Sequence, residues 1–152
     1  MTIPYNILLK ILPTHTAYAH CDIPCGIYDP HAAQTAAATV LKMVQKIKEL
    51  PKDELWGDAD NNWIRMVWTK EEHARKCKEE ILVLWTDYFK PEHLKKFPDL
   101  HDTFWKAAKL CSKNKQTVSI ENAEELVKAV DHIANIFKQS QPPSVETGQN
   151  TK

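Results

Sequence analysis

Residues 19–30 read AHCDIPCGIYDP and set His20, Cys21 and Cys25 within six positions of one another. Imidazole and thiolate are ligands for soft and borderline metal ions. A structural zinc site draws four such ligands, usually as two separated pairs. Here the spacing is C-x3-C with a directly adjacent histidine, and no second pair follows. Neighbouring side chains of an extended segment point to opposite sides, so His20 and Cys21 chelate one ion poorly through side chains alone. Cleavage between Ala19 and His20 changes this by creating a free α-amine. That amine, the Cys21 amide nitrogen (deprotonated by the metal) and the Cys21 thiolate form fused chelate rings in one plane. Cys25 folds back as a fourth in-plane donor, Pro24 and Gly26 shaping its return, and the His20 imidazole approaches axially. A planar set of two nitrogens and two sulfurs suits nickel(II) or copper(II) better than zinc. Thiolate and amidate donors also bring nickel(III) within reach. A metal that cycles between two states with an open face suits one-electron chemistry on a small oxygen species.

The rest of the chain must position this segment, and it reads as helix. Residues 1–19 stand apart, since Pro4 and Pro13 prevent one continuous helix. Asp29 is a candidate N-cap with Pro30 at the first helical position. Ala33, Ala37, Val40, Val44 and Ile47 then fall on one face, and Pro51 stops that helix. A second helix is predicted from about Asp60 to Phe89, with Ile64, Val67, Ala74, Ile81, Leu84, Trp85 and Tyr88 as its stripe and Pro91 just beyond. A third carries Leu100, Phe104, Ala107, Ala108 and Cys111 inward. Ser119 caps a fourth, along which Ala123, Leu126, Val127, Val130, Ile133, Ala134 and Phe137 repeat. From Gln141 to Lys152 the composition is that of a disordered tail. Four amphipathic helices with short connections and no strand-like alternation predict an all-α, antiparallel four-helix bundle.

Composition narrows the function. Twenty Lys and Arg balance twenty Asp and Glu, so no long-range field gathers nucleic acid or an anionic membrane. Three glycines in the chain argue against an all-β fold. No run of eighteen apolar residues is present to span a bilayer. The expected location is cytoplasmic, although the small-residue run AYA before His20 also reads as an export cleavage site. Cys77 and Cys111 fall inside helical patterns and read as small apolar core residues. His15, His31, His93, His101 and His132 are scattered singly as surface or capping residues. Trp56, Trp63, Trp68, Trp85 and Trp105 read as core or subunit contact. Nucleophile elbow, zinc-protease helix and phosphate-cradling loop are all missing from the sequence.

The stretch HCDIPCGIYDP resembles the metal hook of the nickel-containing superoxide dismutases, whose pattern is H-C-x-x-P-C-G-x-Y-x-P. LWTDYFKPEH, residues 84–93, resembles that family's second signature. The resemblance covers about residues 20–140 and implies a dismutase acting on superoxide with one nickel ion per subunit. It implies a pro-segment, residues 1–19, removed by a maturation protease, and assembly as a homohexamer. It assigns His20 the amine and axial imidazole, Cys21 an amide nitrogen and a thiolate, and Cys25 the second thiolate. Tyr28 stands at the open face, Tyr88 lies nearby, and Asp22 acts mainly through its backbone. The family's glutamate and arginine that hold the axial imidazole align here with Ala36 and His73. A different use of Cys21 and Cys25, as a cytosolic dithiol redox or metal-carrier pair, is the alternative that the C-x3-C spacing permits.

Overall fold

The first helix starts one residue later than the capping pattern predicts, with Pro30 as its N-cap and His31 as its first residue. The Asp29 carboxylate accepts a 2.8 Å hydrogen bond from the His31 amide, which satisfies one of the donors that every helix leaves open at its start. The computed structural model describes residues 27–50 and 58–141. Residues 1–26, on which the expected pro-segment and hook fall, Trp56 and the tail from Pro142 lie outside them. Helix α1 spans His31–Glu49, α2 Asp58–Val83, α3 Leu100–Gln116 and α4 Ile120–Ser140. Among the described residues there is no strand and no helix long and apolar enough to cross a membrane.

Each helix packs against two others, α1 on α2 and α4, and α3 on α2 and α4, which closes a four-helix bundle. Cross-helix bonds give the directions. Lys96, just before α3, donates to the Gln139 carbonyl at the end of α4 (2.6 Å). Tyr88, at the end of the α2 run, meets Tyr28 before α1 and Phe137 near the end of α4. Neighbouring helices therefore run antiparallel. The expected faces point inward: Ala33, Ala37, Val40, Val44, Ala74, Cys77, Ile81, Leu84, Leu100, Phe104, Cys111, Leu126, Val130 and Ile133 are buried. Each large apolar side chain so buried contributes about 1.5–3 kcal/mol.

Two expectations about α2 need correction. Ile64, placed on the inward stripe, is 60% exposed. Trp63, Trp68 and Trp105 also lie largely in solvent, at 49%, 72% and 53%, so in this chain they are not core. For Trp63, Ile64 and Trp68 on α2 the reason is length. At about 1.5 Å per residue, α2 with 26 residues outruns α3 with 17. Lys70 marks the crossing, since its ammonium donates to the carbonyls of Asn114 (2.5 Å) and Lys115 (3.1 Å) in the last turn of α3. Trp68 still shares a cleft with Lys115 in the last turn of α3, and the turns of α2 before it run past the end of that helix. The second correction is local. The α-helical hydrogen bonding stops at Val83 and Leu84–Tyr88 form one π-helical turn, in which the Phe89 amide bonds the Leu84 carbonyl at 3.1 Å. Such single turns of wider helix take up one extra residue.

Candidate metal centre

His20, Cys21, Asp22 and Cys25 fall outside the described residues, and so does the hook as a shape. Its exit does not. Tyr28 follows Cys25 by three residues, so chain reach keeps their α-carbons within about 11 Å.

Tyr28 is half-buried against the core and rests on Tyr88, ring centroids 5.4 Å apart and planes tilted by 59°. Four elements build this spot: the run into α1, the π turn ending α2, the short 3-10 turn Pro91–Lys95 and the end of α4. Tyr88 is held on every side. Phe137 lies 4.6 Å from its ring, Phe89 meets it edge-on at 4.9 Å, and His93 stacks nearly parallel at 5.7 Å. Aromatic contacts of this kind are worth about 0.5–1.5 kcal/mol each beyond area burial. Its hydroxyl is part of a directed chain. Ser140 Oγ donates to the Phe137 carbonyl at 2.6 Å, and so accepts from the Tyr88 hydroxyl at 2.8 Å. Gln141 Nε2 in turn donates to the Tyr88 oxygen at 2.9 Å. Tyr88 is thus a fixed platform under Tyr28.

His93, expected as a surface or capping residue, does cap: its Nδ1 accepts the Lys90 amide proton at 2.9 Å. That bond fixes the ring that stacks under Tyr88, a role the sequence reading missed although KPEH was part of the quoted signature. Ala36 is buried in α1, 3% exposed, and offers no polar atom. His73 of α2 is half-buried, and its Nδ1 is shielded from solvent with no hydrogen-bond partner among the described residues. Also among them, no three His, Cys, Asp or Glu side chains converge well enough to hold a metal. The clefts between α3 and α4, the larger about 490 Å³ and lined by Asp102, Lys106, Glu125, Lys128 and His132, include none of the nominated residues.

A four-helix bundle with a tyrosine pair at one end defines the class: a small all-α protein. The chain belongs to the nickel-containing superoxide dismutase family, whose model matches residues 15–141. It is 38% identical over 127 residues to the Superoxide dismutase [Ni] of Streptomyces coelicolor, covering 83% of this chain and 88% of that one. The Streptomyces seoulensis protein of the same name is 39% identical over 120 residues, 79% and 84% of the two chains. Among solved structures, the native 1.30 Å nickel superoxide dismutase superposes with a TM-score of 0.72 at 31% identity, covering 81% of this chain and 100% of that one. A nickel superoxide dismutase with nickel ligation of the oxidized state gives 0.70 at 32% identity, covering 79% and 97%.

Proposed function

We propose that this chain disproportionates superoxide to dioxygen and hydrogen peroxide at a nickel ion, one per subunit, held by His20, Cys21 and Cys25 after residues 1–19 are removed by a maturation protease. The observation that carries the reading is the family match across residues 15–141, which takes in the whole donor set and the Tyr28–Tyr88 pair together. The donors fit the ion: two thiolates, a backbone amide and an amine in reach of one another, with an imidazole to spare. Nickel bound there supplies a reversible one-electron couple at neutral pH.

The chain's own residues do the rest. With nickel bound, the thiolates of Cys21 and Cys25 would stabilise the more oxidised ion, which a neutral hydroxyl could not do. The His20 imidazole would be a further donor, and Asp22 would shape the hook through its backbone. Tyr28 limits which anions reach the open face and orders water there, and Tyr88 keeps it in place from behind. Ala36 leaves the axial ring without the acidic partner usual in the family. His73 carries a buried nitrogen with no partner among the described residues, which suits it to receive or give a hydrogen bond to that ring. The exposed Trp63, Ile64 and Trp68 on α2 make an apolar strip of the kind that self-assembly covers, in keeping with a homohexamer. Cytoplasmic placement fits the absence of a spanning helix among the described residues.

The test compares a chain beginning at His20 with one retaining Ala19, both supplied with nickel. The first should bind about one nickel per subunit and consume superoxide in a stopped-flow assay; the second should do neither fully. Cys21→Ser and Cys25→Ser should each abolish turnover in the shorter chain. An active, nickel-loaded chain that keeps Ala19 would sink the reading.

A further inference from the structure

Cys77 and Cys111 have no part in the hook, and both are free and fully buried. Both belong to the one buried core, on helices that pack against each other. The next residue of each helix marks the same register, with Lys78 Nζ donating to Ser112 Oγ at 3.3 Å. Cys111 beside it, with burial, pushes the Cys77 thiol up. Cys77 in turn draws the Cys111 thiol down, and Lys78 nearby assists. One sulfur is thus the readier nucleophile and the other the resolving thiol.

We propose that Cys77 and Cys111 form a peroxide-driven disulfide that locks α2 to α3. The oxidant is hydrogen peroxide, which superoxide dismutation supplies, so the source of oxidant rests on the function proposed above. In the first step the Cys111 sulfur attacks one peroxide oxygen and the O–O bond breaks. The departing hydroxide takes the Cys111 proton and leaves as water, and Cys111 becomes a sulfenic acid. In the second step the Cys77 sulfur displaces the hydroxyl from Cys111, the Cys77 proton leaves with it as a second water, and an S–S bond of about 2.05 Å forms. Two thiols lose two electrons and one peroxide gains them. Peroxide is little larger than water and enters when the α2–α3 contact opens locally, so the reaction is slow and responds to sustained rather than passing exposure.

The experiment treats nickel-loaded protein with hydrogen peroxide, blocks remaining thiols in denaturant, and maps a non-reducing digest by mass spectrometry. The expected product is a peptide pair joined through Cys77 and Cys111, two hydrogens lighter than the dithiol, released by reductant. The lock should raise the unfolding midpoint by roughly 5–10 °C, because it closes a long loop. Reductant and a Cys111→Ala variant should each remove that rise. Both thiols still alkylatable, each oxidised singly to sulfinic acid, or either joined to Cys21 or Cys25 would overturn the proposal. Dismutase activity and nickel content are measured on the same sample before peroxide is added. An active sample that never links refutes the lock alone, while an inactive sample that links upholds the lock and counts against the function.

Discussion

Replacing Lys70 with methionine should destabilise the bundle by about 2–4 kcal/mol. Lys70 is 1% exposed, and its ammonium donates to the Asn114 and Lys115 carbonyls. These belong to the last turn of α3, where helical carbonyls have no partners of their own. The Lys113 carbonyl in the same turn is taken by the Thr117 hydroxyl at 2.9 Å, so Lys70 answers for the next two. Hydrogen bonds involving a charged group contribute about 1.5–3 kcal/mol each. The positive charge also sits at the negative end of the α3 dipole, worth up to ~2 kcal/mol in a partly buried setting. Against this stands the desolvation of the ammonium, which methionine does not suffer, and its own favourable burial. The Glu71 pairing at 2.8 Å adds little, because Glu71 is 34% exposed. The net loss is thus near that of one good charged hydrogen bond plus part of the dipole term. Urea unfolding at fixed protein concentration measures it, with exposed Lys113→Met as the control expected within about 0.5 kcal/mol of the parent. If Lys70→Met unfolds within that same margin, the cap is not what holds this end of α3.

Glu121 gives a pH-dependent term. Ser119 caps α4, its hydroxyl accepting the Asn122 amide at 3.2 Å and donating to Glu121 at 2.6 Å, and the latter bond holds the Glu121 carboxyl below its ordinary value of 4.5. A carboxylate with a lowered folded-state pKa stabilises above its unfolded pKa, and that stability is lost as pH falls through the lower folded value. Glu121→Gln should therefore lower the unfolding midpoint at neutral pH, where the parent holds that stability, and flatten its fall below about pH 4.5, so that parent and variant converge in acid; an unaltered acid limb would refute the assignment. At the axial-ring positions, Ala36→Glu alone places a carboxylate at a site 3% exposed and should lose several kcal/mol, of the order of 3. Adding His73→Arg should recover part of that and raise the nickel(III) signal in electron paramagnetic resonance. Strict additivity of the two in a double-mutant cycle would show that the positions do not meet.

Much of the bundle was legible because capping and periodicity are local. Ser119 announced the helix start that its side-chain bond now explains, Asp29 marked the first start to within one residue, and the inward faces of α3 and α4 followed from spacing alone. The candidate donors could be named for a different reason, since ligand chemistry is written in residue type and separation, but His20, Cys21 and Cys25 lie outside the described residues. What escaped was set by neighbours. A period of three and four identifies a face, but not whether another helix lies along it, so Ile64 was placed in a core that ends at Lys70. Lys70 itself continues the stripe of Ala74, Cys77 and Ile81. A lysine at that slot is readable only once an α3 carbonyl end is known to stand opposite. The π turn leaves no periodic trace, and His93 stacks under Tyr88 only because that turn brings them together.

The extra residue taken up between Leu84 and Tyr88 acts as a vernier on the tyrosine pair. Each residue of an α-helix rotates the side-chain direction by about 100°, so α2 can be fixed in the core by Ala74, Cys77 and Ile81 while the wider turn independently sets where Tyr88 points. Substitutions along the buried part of α2 then disturb packing without re-aiming the ring. Deleting a single residue from Leu84–Tyr88 does the reverse: the core register survives, and the support beneath Tyr28 swings away by more than a quarter turn. The aim of the aromatic platform and the stability of the scaffold are in this way separately adjustable within one continuous helix.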